Sequence, residues 1–199
     1  MWLFGGKDSP PEPTVATGIH EPEERTQDNS LDASDQIAVV GMSMRLPGGI
    51  KTAEDFWDLL IRGKDCHGPV PVSRFNAANY YCESGRPGTL PTKHGYFLDD
   101  NLSAFDASFF SMNGTDAATM DPKLRFLLEI VWECLENGGQ VGCQGKDIGC
   151  FVGNFGDDWS EILWRDTQSI GKYHAVGTHN FSLANRVSYE YDFHGPRYD

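Results

Sequence analysis

The stretch DPKLRFLLEIVWECLENGG, residues 121–139, predicts the strongest helix of the chain. Asp121 is a residue type that caps helix N-termini, and Pro122 suits the first helical position. The apolar side chains fall at i, i+3, i+4, i+7 and i+11 and so share one face: Leu124, Leu127, Leu128, Val131 and Leu135. Gly138–Gly139 predicts a left-handed stop. A helix with one continuous apolar face must pack on another layer of the fold.

Two short apolar runs lie on either side of this helix along the chain. Ile37–Val40 ends at Gly41, and Ile148–Val152 follows the helix. Continuous apolar runs of this length are typical of strands that are buried on both faces of a sheet. Strands separated by long helical crossovers predict an α/β layered fold with a mixed or parallel sheet.

Two further segments predict helices. In TAEDFWDLLIRGKD, residues 52–65, Thr52 is a candidate N-cap, Gly63 is a candidate stop, and an apolar stripe consists of Phe56, Leu59 and Leu60. HNFSLANRVSYEY, residues 179–191, predicts a helix, or a helix that runs into a strand. The Pro- and Gly-rich segment Cys66–Leu98 predicts a long loop region, and loops of this length are usually functional or form interfaces.

The first 35 residues differ in composition from the rest of the chain. Residues 1–35 contain eight acidic and two basic residues, and their net charge of −6 is almost half of the total of −13. The segment is rich in Pro, Glu, Asp, Ser and Thr and has few large apolar residues. Because such a segment cannot bury enough apolar surface to offset its ordering entropy, residues 1–35 are predicted to be a disordered acidic leader.

The bulk properties narrow the functional class. A net charge of −13 and a pI of about 4.7 argue against nucleic acid and anionic membranes as partners. The five cysteines are irregularly spaced without a CxxC pair, which favours reduced thiols over disulfides or a zinc knuckle. No stretch resembles a signal peptide or a membrane span. The expectation is a soluble, cytoplasmic protein.

Two glycine-containing loops follow the predicted strands. Gly41–Gly49 matches neither GxGxxG nor GxxxxGK[ST], so it does not predict a nucleotide site. In the second loop, Asp157 and Asp158 could bind a divalent cation, but a solvated loop or a helix cap is the stronger interpretation of two adjacent carboxylates.

Histidine and cysteine give no assembled catalytic pattern. His174 and His179 are five residues apart, which is not one helical face, and no HExxH motif occurs. Cys66 lies next to His67, but adjacent side chains rarely face each other. Cys150 lies inside an apolar run, where a thiol is normally inert packing. The residues alone predict an α/β core with no catalytic, cofactor-binding or metal-binding residue assigned.

The motifs, taken in order, resemble the β-ketoacyl synthase domain of type I polyketide synthases. The segments that carry the resemblance are IAVVGMSMRLPGG, FWDLLIRGKD, RFNAANYY, KHGYFLDD, LSAFDASFF, MDPKLRFLLEIVWECLENGG, DIGCFVGNFGDDW and LANRVSYEYDFHGP, between Gln36 and Pro196. The segment GNFGDDW is most similar to the fungal, highly reducing class of these synthases. Lys123 departs from the family's Asp-Pro-Gln motif, and Met44 stands where the family often has Cys.

The resemblance implies a thiolase-like layered α/β/α fold, present only as its N-terminal portion. Residues 36–199 are then expected to be a truncated β-ketoacyl synthase N-terminal domain. In the family, the segment after Gly-Pro leads to a nucleophilic cysteine in a TACSSS-type elbow, and two histidines and a lysine follow. Here Arg197, Tyr198 and Asp199 occupy that place. The chain is therefore predicted to lack the catalytic Cys-His-His set and to be inactive alone.

The resemblance also implies partners. The family carries out decarboxylative condensation of acyl and malonyl thioesters in polyketide or fatty acid biosynthesis, and these substrates arrive on the phosphopantetheine of an acyl carrier protein. Expected partners are that carrier or the remaining synthase domains, and the intact family can form homodimers. Two alternatives stay open: a non-catalytic interaction module that binds a carrier protein or an intact synthase subunit, and a small acyltransferase that uses Cys66 or Cys150.

Overall fold

The structure, a computed structural model, describes residues 37–199 except residues 167, 169 and 173. The predicted leader, residues 1–35, and Gln36 lie outside the described residues. Residues 39–199 pack as one unit. Within the described part, the α-helices are α1 (Ala53–Arg62), α2 (Gly114–Thr119), α3 (Pro122–Asn137), α4 (Asp158–Trp164), α5 (His174–Thr178) and α6 (Leu183–Glu190).

The strands in the described part are short and form two pairs. β1 (Gly68–Pro69) pairs antiparallel with β2 (His94–Gly95), and β3 (Cys150–Phe151) pairs parallel with β4 (Arg197–Tyr198). Two 3-10 turns span Ala77–Asn79 and Asn180–Ser182. No helix in the described part is both long and apolar enough to cross a membrane.

Helix α3 has the boundaries that its local signals predict. The Asp121 carboxylate accepts a hydrogen bond of 2.7 Å from the backbone N–H of Lys123, which satisfies one of the free donors of the first turn. At the other end Gly138 keeps a right-handed conformation, and the left-handed residue is Gly139, with φ of +62°. The left-handed residue is therefore the second glycine of the pair, at the position after the C-cap where such residues commonly end helices.

The core forms where α3 packs on α6. Leu124 and Leu128 of α3 and Val187 of α6 are almost completely buried. The cluster is completed by Phe110, Met120, Cys143, Leu183, Tyr191 and Phe193. Tyr191 donates a hydrogen bond of 2.6 Å from its phenol to the Leu128 carbonyl, so its polar atom is satisfied inside the core. Leu127, Val131 and Leu135 are partly buried against the cluster, which confirms the predicted apolar face.

The prediction of a strand at Ile37–Val40 is wrong. These residues form no strand, and the side chains of Ile37 and Val39 are 97% and 86% exposed. An apolar run becomes a strand only when a neighbouring strand pairs its backbone, and no strand in the described part does so. The first contact after this run lies further along the chain, where the Met42 N–H donates to the Asn137 side chain at the end of α3 at 3.0 Å.

The second predicted strand is present but shorter and more open than expected. It spans Cys150–Phe151 rather than Ile148–Val152, and the Phe151 side chain is 69% exposed. The expectation of burial on both faces is therefore wrong for this strand. Ile148, Cys150 and Val152 pack against the core cluster, so one face of the strand is partly covered, whereas the face that carries Phe151 stays open.

Helix α1 has its predicted ends but not its predicted burial. Thr52 accepts from the Asp55 N–H at 3.1 Å, and Gly63 is left-handed with φ of +58°. No residue of α1 is buried, and Leu60 is 53% exposed. The stripe Phe56, Leu59 and Leu60 is thus an apolar face without a covering layer in the described part of the chain. Residues 179–191 form the 3-10 turn and α6, without a strand.

Candidate functional site

The carboxyl ends of β3 and β4 lie side by side because the two strands are parallel. The Cys150 N–H donates to the Pro196 carbonyl at 2.8 Å, and the Val152 N–H donates to the Tyr198 carbonyl at 2.9 Å. Ligands of open α/β sheets bind preferentially at the carboxyl ends of parallel strands. We therefore call the ends of β3 and β4, with the start of α6 beside them, the strand-end site.

Asp199 fixes β4 to the start of α6. Its side-chain carboxylate accepts a hydrogen bond of 2.6 Å from the N–H of Ala184, in the first turn of the helix. A carboxylate is favoured at this position because the first N–H groups of a helix have no intrahelical acceptor and carry a partial positive charge. The contact holds the end of β4 against the first turn of α6.

Cys150 is the thiol at the strand-end site. It is partly buried, and this burial raises the pKa of the thiol above its ordinary value, opposed by the neighbouring Ser188 hydroxyl. Because the thiolate is the nucleophile, a raised pKa keeps Cys150 protonated and unreactive near neutral pH. The geometry supports the interpretation of Cys150 as packing.

A polar network covers the loop that leaves β3. The Asn154 amide donates to the Asn180 side chain, and the Asn180 amide donates to Asp157 at 2.8 Å. Asp157 is the N-cap position of α4 and Asp158 its first residue, so the paired carboxylates begin a helix, but the Asp157 side chain makes no capping hydrogen bond to the helix backbone. The described residues hold no group of three or more metal-ligating side chains that could bind a cation.

Lys123 connects this loop to α3. Its ammonium donates to the Gly156 carbonyl and lies 3.6 Å from the Asp121 carboxylate. Trp159 of α4 donates from its indole N–H to the Thr119 carbonyl at 2.9 Å, which connects the helix after this loop to the end of α2. Lys123 was noted in the sequence only as a departure from a motif, and its bridging role depends on the position of Gly156, which no local pattern reveals.

Side chains of the Gly41–Gly49 loop bind to α3. The Arg45 guanidinium forms two hydrogen bonds with the Glu133 carboxylate, and the Ser43 hydroxyl donates to the same carboxylate at 2.7 Å. These bonds lower the pKa of Glu133. A Cβ atom at Gly41 would collide with the Cys134 carbonyl, so glycine allows this close approach. These contacts attach the loop to α3.

Two aromatic rings form an open patch on the β3–β4 pair. The Phe151 and Tyr198 rings are directly opposite each other in the parallel register and stack at 5.2 Å between centroids, with planes 8° apart. They remain 69% and 62% exposed. This stacked aromatic pair is the main apolar surface of the strand-end site.

The histidines do not complete a catalytic set with a cysteine. In the described residues, no thiol is hydrogen-bonded to a histidine ring, and the Cys66 sulfur lies against Gly48 rather than against His67. His174 and His179 have ring centroids 6.2 Å apart, and both nitrogens of the buried His174 ring lack a hydrogen-bond partner. His67 instead lies beside His94, with ring centroids 5.5 Å apart.

Comparisons with known proteins agree with this architecture. The chain is 49% identical over 173 residues to the highly reducing polyketide synthase gloL of Glarea lozoyensis, which covers 86% of this chain and 7% of that protein. It is 49% identical over 160 residues to the highly reducing polyketide synthase ntnH of a Nectria species, covering 80% of the chain and 7% of that protein. The chain thus spans about 7% of the length of these curated relatives.

Solved structures show the same fold. The oxazolomycin ketosynthase domain OzmH KS7 of Streptomyces albus superposes with a TM-score of 0.66 at 30% identity, covering 79% of this chain and 27% of that domain. The ketosynthase from module 6 of the bacillaene synthase of Bacillus subtilis gives a TM-score of 0.67 at 25% identity, covering 81% of this chain and 26% of the other. The thiolase-like fold implied by the resemblance is confirmed. Because the family model for the N-terminal domain of beta-ketoacyl synthases matches residues 34–199, the chain belongs to the β-ketoacyl synthase family.

Proposed function

We propose that this chain contributes the N-terminal frame of a ketosynthase domain in a highly reducing polyketide synthase, with residues 36–199 as the folded portion and residues 1–35 as a disordered leader. The observation that carries the proposal is the parallel pairing of β4 with β3 directly after Gly195–Pro196. In the family that the chain belongs to, the strand at this place leads to the nucleophilic cysteine. The Asp199 contact to α6 supports it, because it holds β4 beside the start of that helix.

The proposed reaction is that of a complete ketosynthase domain. A cysteine thiolate attacks the acyl thioester carried by a phosphopantetheine arm, and the carrier thiol leaves. A malonyl thioester then loses CO₂, and the resulting carbanion attacks the carbonyl of the acyl-enzyme, which releases the cysteine thiolate. In the family two histidines assist these steps as acid–base and hydrogen-bonding groups. The intact domain would act as a homodimer with an acyl carrier protein as its substrate partner.

We assign no catalytic, cofactor-binding or metal-binding role in this reaction to any residue of this chain. Burial raises the pKa of the Cys150 thiol, and Cys143 is buried in the core. A thiol that is protonated or inaccessible cannot take an acyl group at a useful rate. The role of the chain in this proposal is to position the strand-end site, and the chain alone is inactive.

The first prediction tests acyl transfer directly. The purified 199-residue chain, incubated at neutral pH with an octanoyl thioester, should show no stoichiometric increase in mass by the acyl group. A complete ketosynthase domain, treated in parallel, serves as the positive control. A full acyl adduct that disappears in Cys150→Ala or in Cys66→Ala would contradict the proposal and would favour the small acyltransferase that uses that cysteine.

A second candidate function is a non-catalytic interaction module that binds an intact synthase subunit or a carrier protein. The stacked pair Phe151 and Tyr198 favours it, because exposed aromatic rings on an unpaired sheet edge are typical of association surfaces. The partner with the matching chemistry is a synthase subunit that offers an apolar sheet surface. This surface would also make the isolated chain prone to self-association.

The second prediction tests this surface. Wild-type chain should sediment as associated species at micromolar concentration, and the double variant Phe151→Ser, Tyr198→Ser should shift toward monomer, because it removes the stacked rings. The double variant Phe75→Ser, Tyr80→Ser is the matched control. These two rings are also exposed, and their centroids are 6.1 Å apart, but they lie outside the β3–β4 pair. Equal sedimentation of wild type and both variants would contradict a role for the β3–β4 surface.

A further inference from the structure

The antiparallel pair β1–β2 brings two histidines to one face. In this register Gly68 is opposite Gly95 and Pro69 is opposite His94, so His67 is diagonal to His94. Side chains of alternate residues share a face of a strand, and diagonal neighbours across a pair lie within reach of long side chains. The observed centroid distance between the two imidazole rings is 5.5 Å, and their planes differ by 30°.

This distance is compatible with two imidazoles on one metal ion. With metal–nitrogen bonds of about 2.0–2.1 Å and an angle of about 90–110° at the ion, the two ring centroids lie roughly 4.5–5.3 Å apart. The observed separation exceeds this range by a few tenths of an ångström. Small side-chain rotations, without movement of the strands, close that gap.

Both rings are available for a ligand. His67 and His94 are exposed, and neither ring takes part in a hydrogen bond or an ion pair within the described residues. Their backbones are held in place by neighbouring side chains. The Asp65 carboxylate accepts from the His67 N–H at 2.9 Å, and the Thr92 hydroxyl accepts from the His94 N–H at 3.1 Å. The pair is therefore positioned by local contacts while its ring nitrogens stay free.

The surroundings favour a cation but offer no third protein ligand. The Tyr96 phenol is engaged by Asp65, to which it donates a hydrogen bond of 3.2 Å. Asp65 contributes negative charge near the pair through its own carboxylate. In the sequence the neighbour of His67 is Cys66, and His94 is distant along the chain, so no local pattern reveals the histidine pair.

We infer that His67 and His94 form an open, two-ligand binding site for a divalent transition-metal ion. Neutral imidazole binds Ni²⁺, Cu²⁺ and Zn²⁺, whereas Mg²⁺ and Ca²⁺ prefer oxygen ligands. Water completes the coordination shell, because the described residues contain no larger ligand cluster. This site lies on β1–β2 and is independent of the proposed ketosynthase role.

The test is equilibrium dialysis of the untagged 199-residue chain against Ni²⁺, which counts bound metal per chain whatever its state of association. Wild type should bind about one ion at submillimolar Ni²⁺, and Mg²⁺ at the same concentration should not compete. Because each histidine supplies one of two protein ligands, His67→Ala and His94→Ala should each weaken binding by at least about 10-fold. Circular dichroism confirms that these surface variants keep the wild-type fold.

Two control variants make the assignment specific. His194 is also exposed, but its ring is paired with Asp192 at 3.0 Å, so His194→Ala should bind Ni²⁺ as the wild type does. Cys66→Ala should also retain binding, which separates an imidazole site from a thiolate site. Absence of binding in the wild type, retention in both His67→Ala and His94→Ala, or an equal loss in His194→Ala or Cys66→Ala would each overturn the inference.

Discussion

Gly195→Ala is expected to destabilise the chain by about 3 kcal/mol or more, a large fraction of the free energy of unfolding of a marginally stable domain. Gly195 is buried, and a Cβ atom there would lie 2.5 Å from the carbonyl carbon of Ile148 and 2.7 Å from the nitrogen of Gly149. Both neighbours are backbone atoms that cannot rotate away. The substitution therefore forces apart the segments that lead into β3 and β4, and the Gly195 N–H to Ile148 carbonyl bond of 3.2 Å is lost.

Gly153→Ala is the matched control for this substitution. Gly153 is exposed, has no atom within 4 Å of the position of an added Cβ, and does not have a left-handed backbone. Urea denaturation followed by circular dichroism should show a change of less than about 1 kcal/mol for Gly153→Ala. If Gly195→Ala unfolds at the same urea concentration as Gly153→Ala, the close approach of the two segments is not present in solution.

The second large effect is expected for Leu128→Ala, at about 3–4 kcal/mol. Leu128 is completely buried at the contact of α3 with α6, so truncation loses buried apolar area and leaves a cavity. Alanine retains the backbone carbonyl that accepts from the Tyr191 phenol, so the measured change isolates the side chain. The midpoint of urea denaturation should fall while the slope of the transition stays constant.

Leu60→Ala provides the same chemical change on a different surface. Leu60 is also inside a helix, but it is 53% exposed. Its truncation should change stability by less than about 1 kcal/mol, because little buried area is removed. Comparable losses in Leu60→Ala and Leu128→Ala would indicate that α1 is covered in solution and that its apolar face is not free.

The elements that the sequence predicted well are those with local signals. The Asp121 cap, the Pro122 start and the apolar spacing of α3 act within a few residues, and the Thr52 and Gly63 ends of α1 do so too. The predicted strand at Ile37–Val40 was wrong because a strand depends on a partner that is distant along the chain. The apolar stripe of α1 was correctly placed on one face, but its burial depends on a neighbouring layer that the pattern cannot specify.

Dependence on residues that are distant along the chain also limits how much of the strand-end site could be predicted. The Asn154–Asn180–Asp157 network and the Asp199 contact with Ala184 join residues that only the tertiary fold brings together. The sequences of the motifs were sufficient to predict the family, because several segments occurred in the family's order. The motifs were not sufficient to predict the contact of Lys123 with Gly156, because this lysine is a position where the chain departs from the family pattern.

The parallel pairing of β3 with β4 also has a consequence for the order of folding. Cys150 is paired with Arg197, 47 positions later in the chain, so the strand pair cannot form before a long loop closes. That loop closure costs chain entropy, which the few hydrogen bonds of two-residue strands recover only after α6 has docked on α3. The helix pair is therefore the expected nucleus, and β4 joins late. Substitutions in α3 should slow refolding, whereas substitutions in β4 should mainly accelerate unfolding.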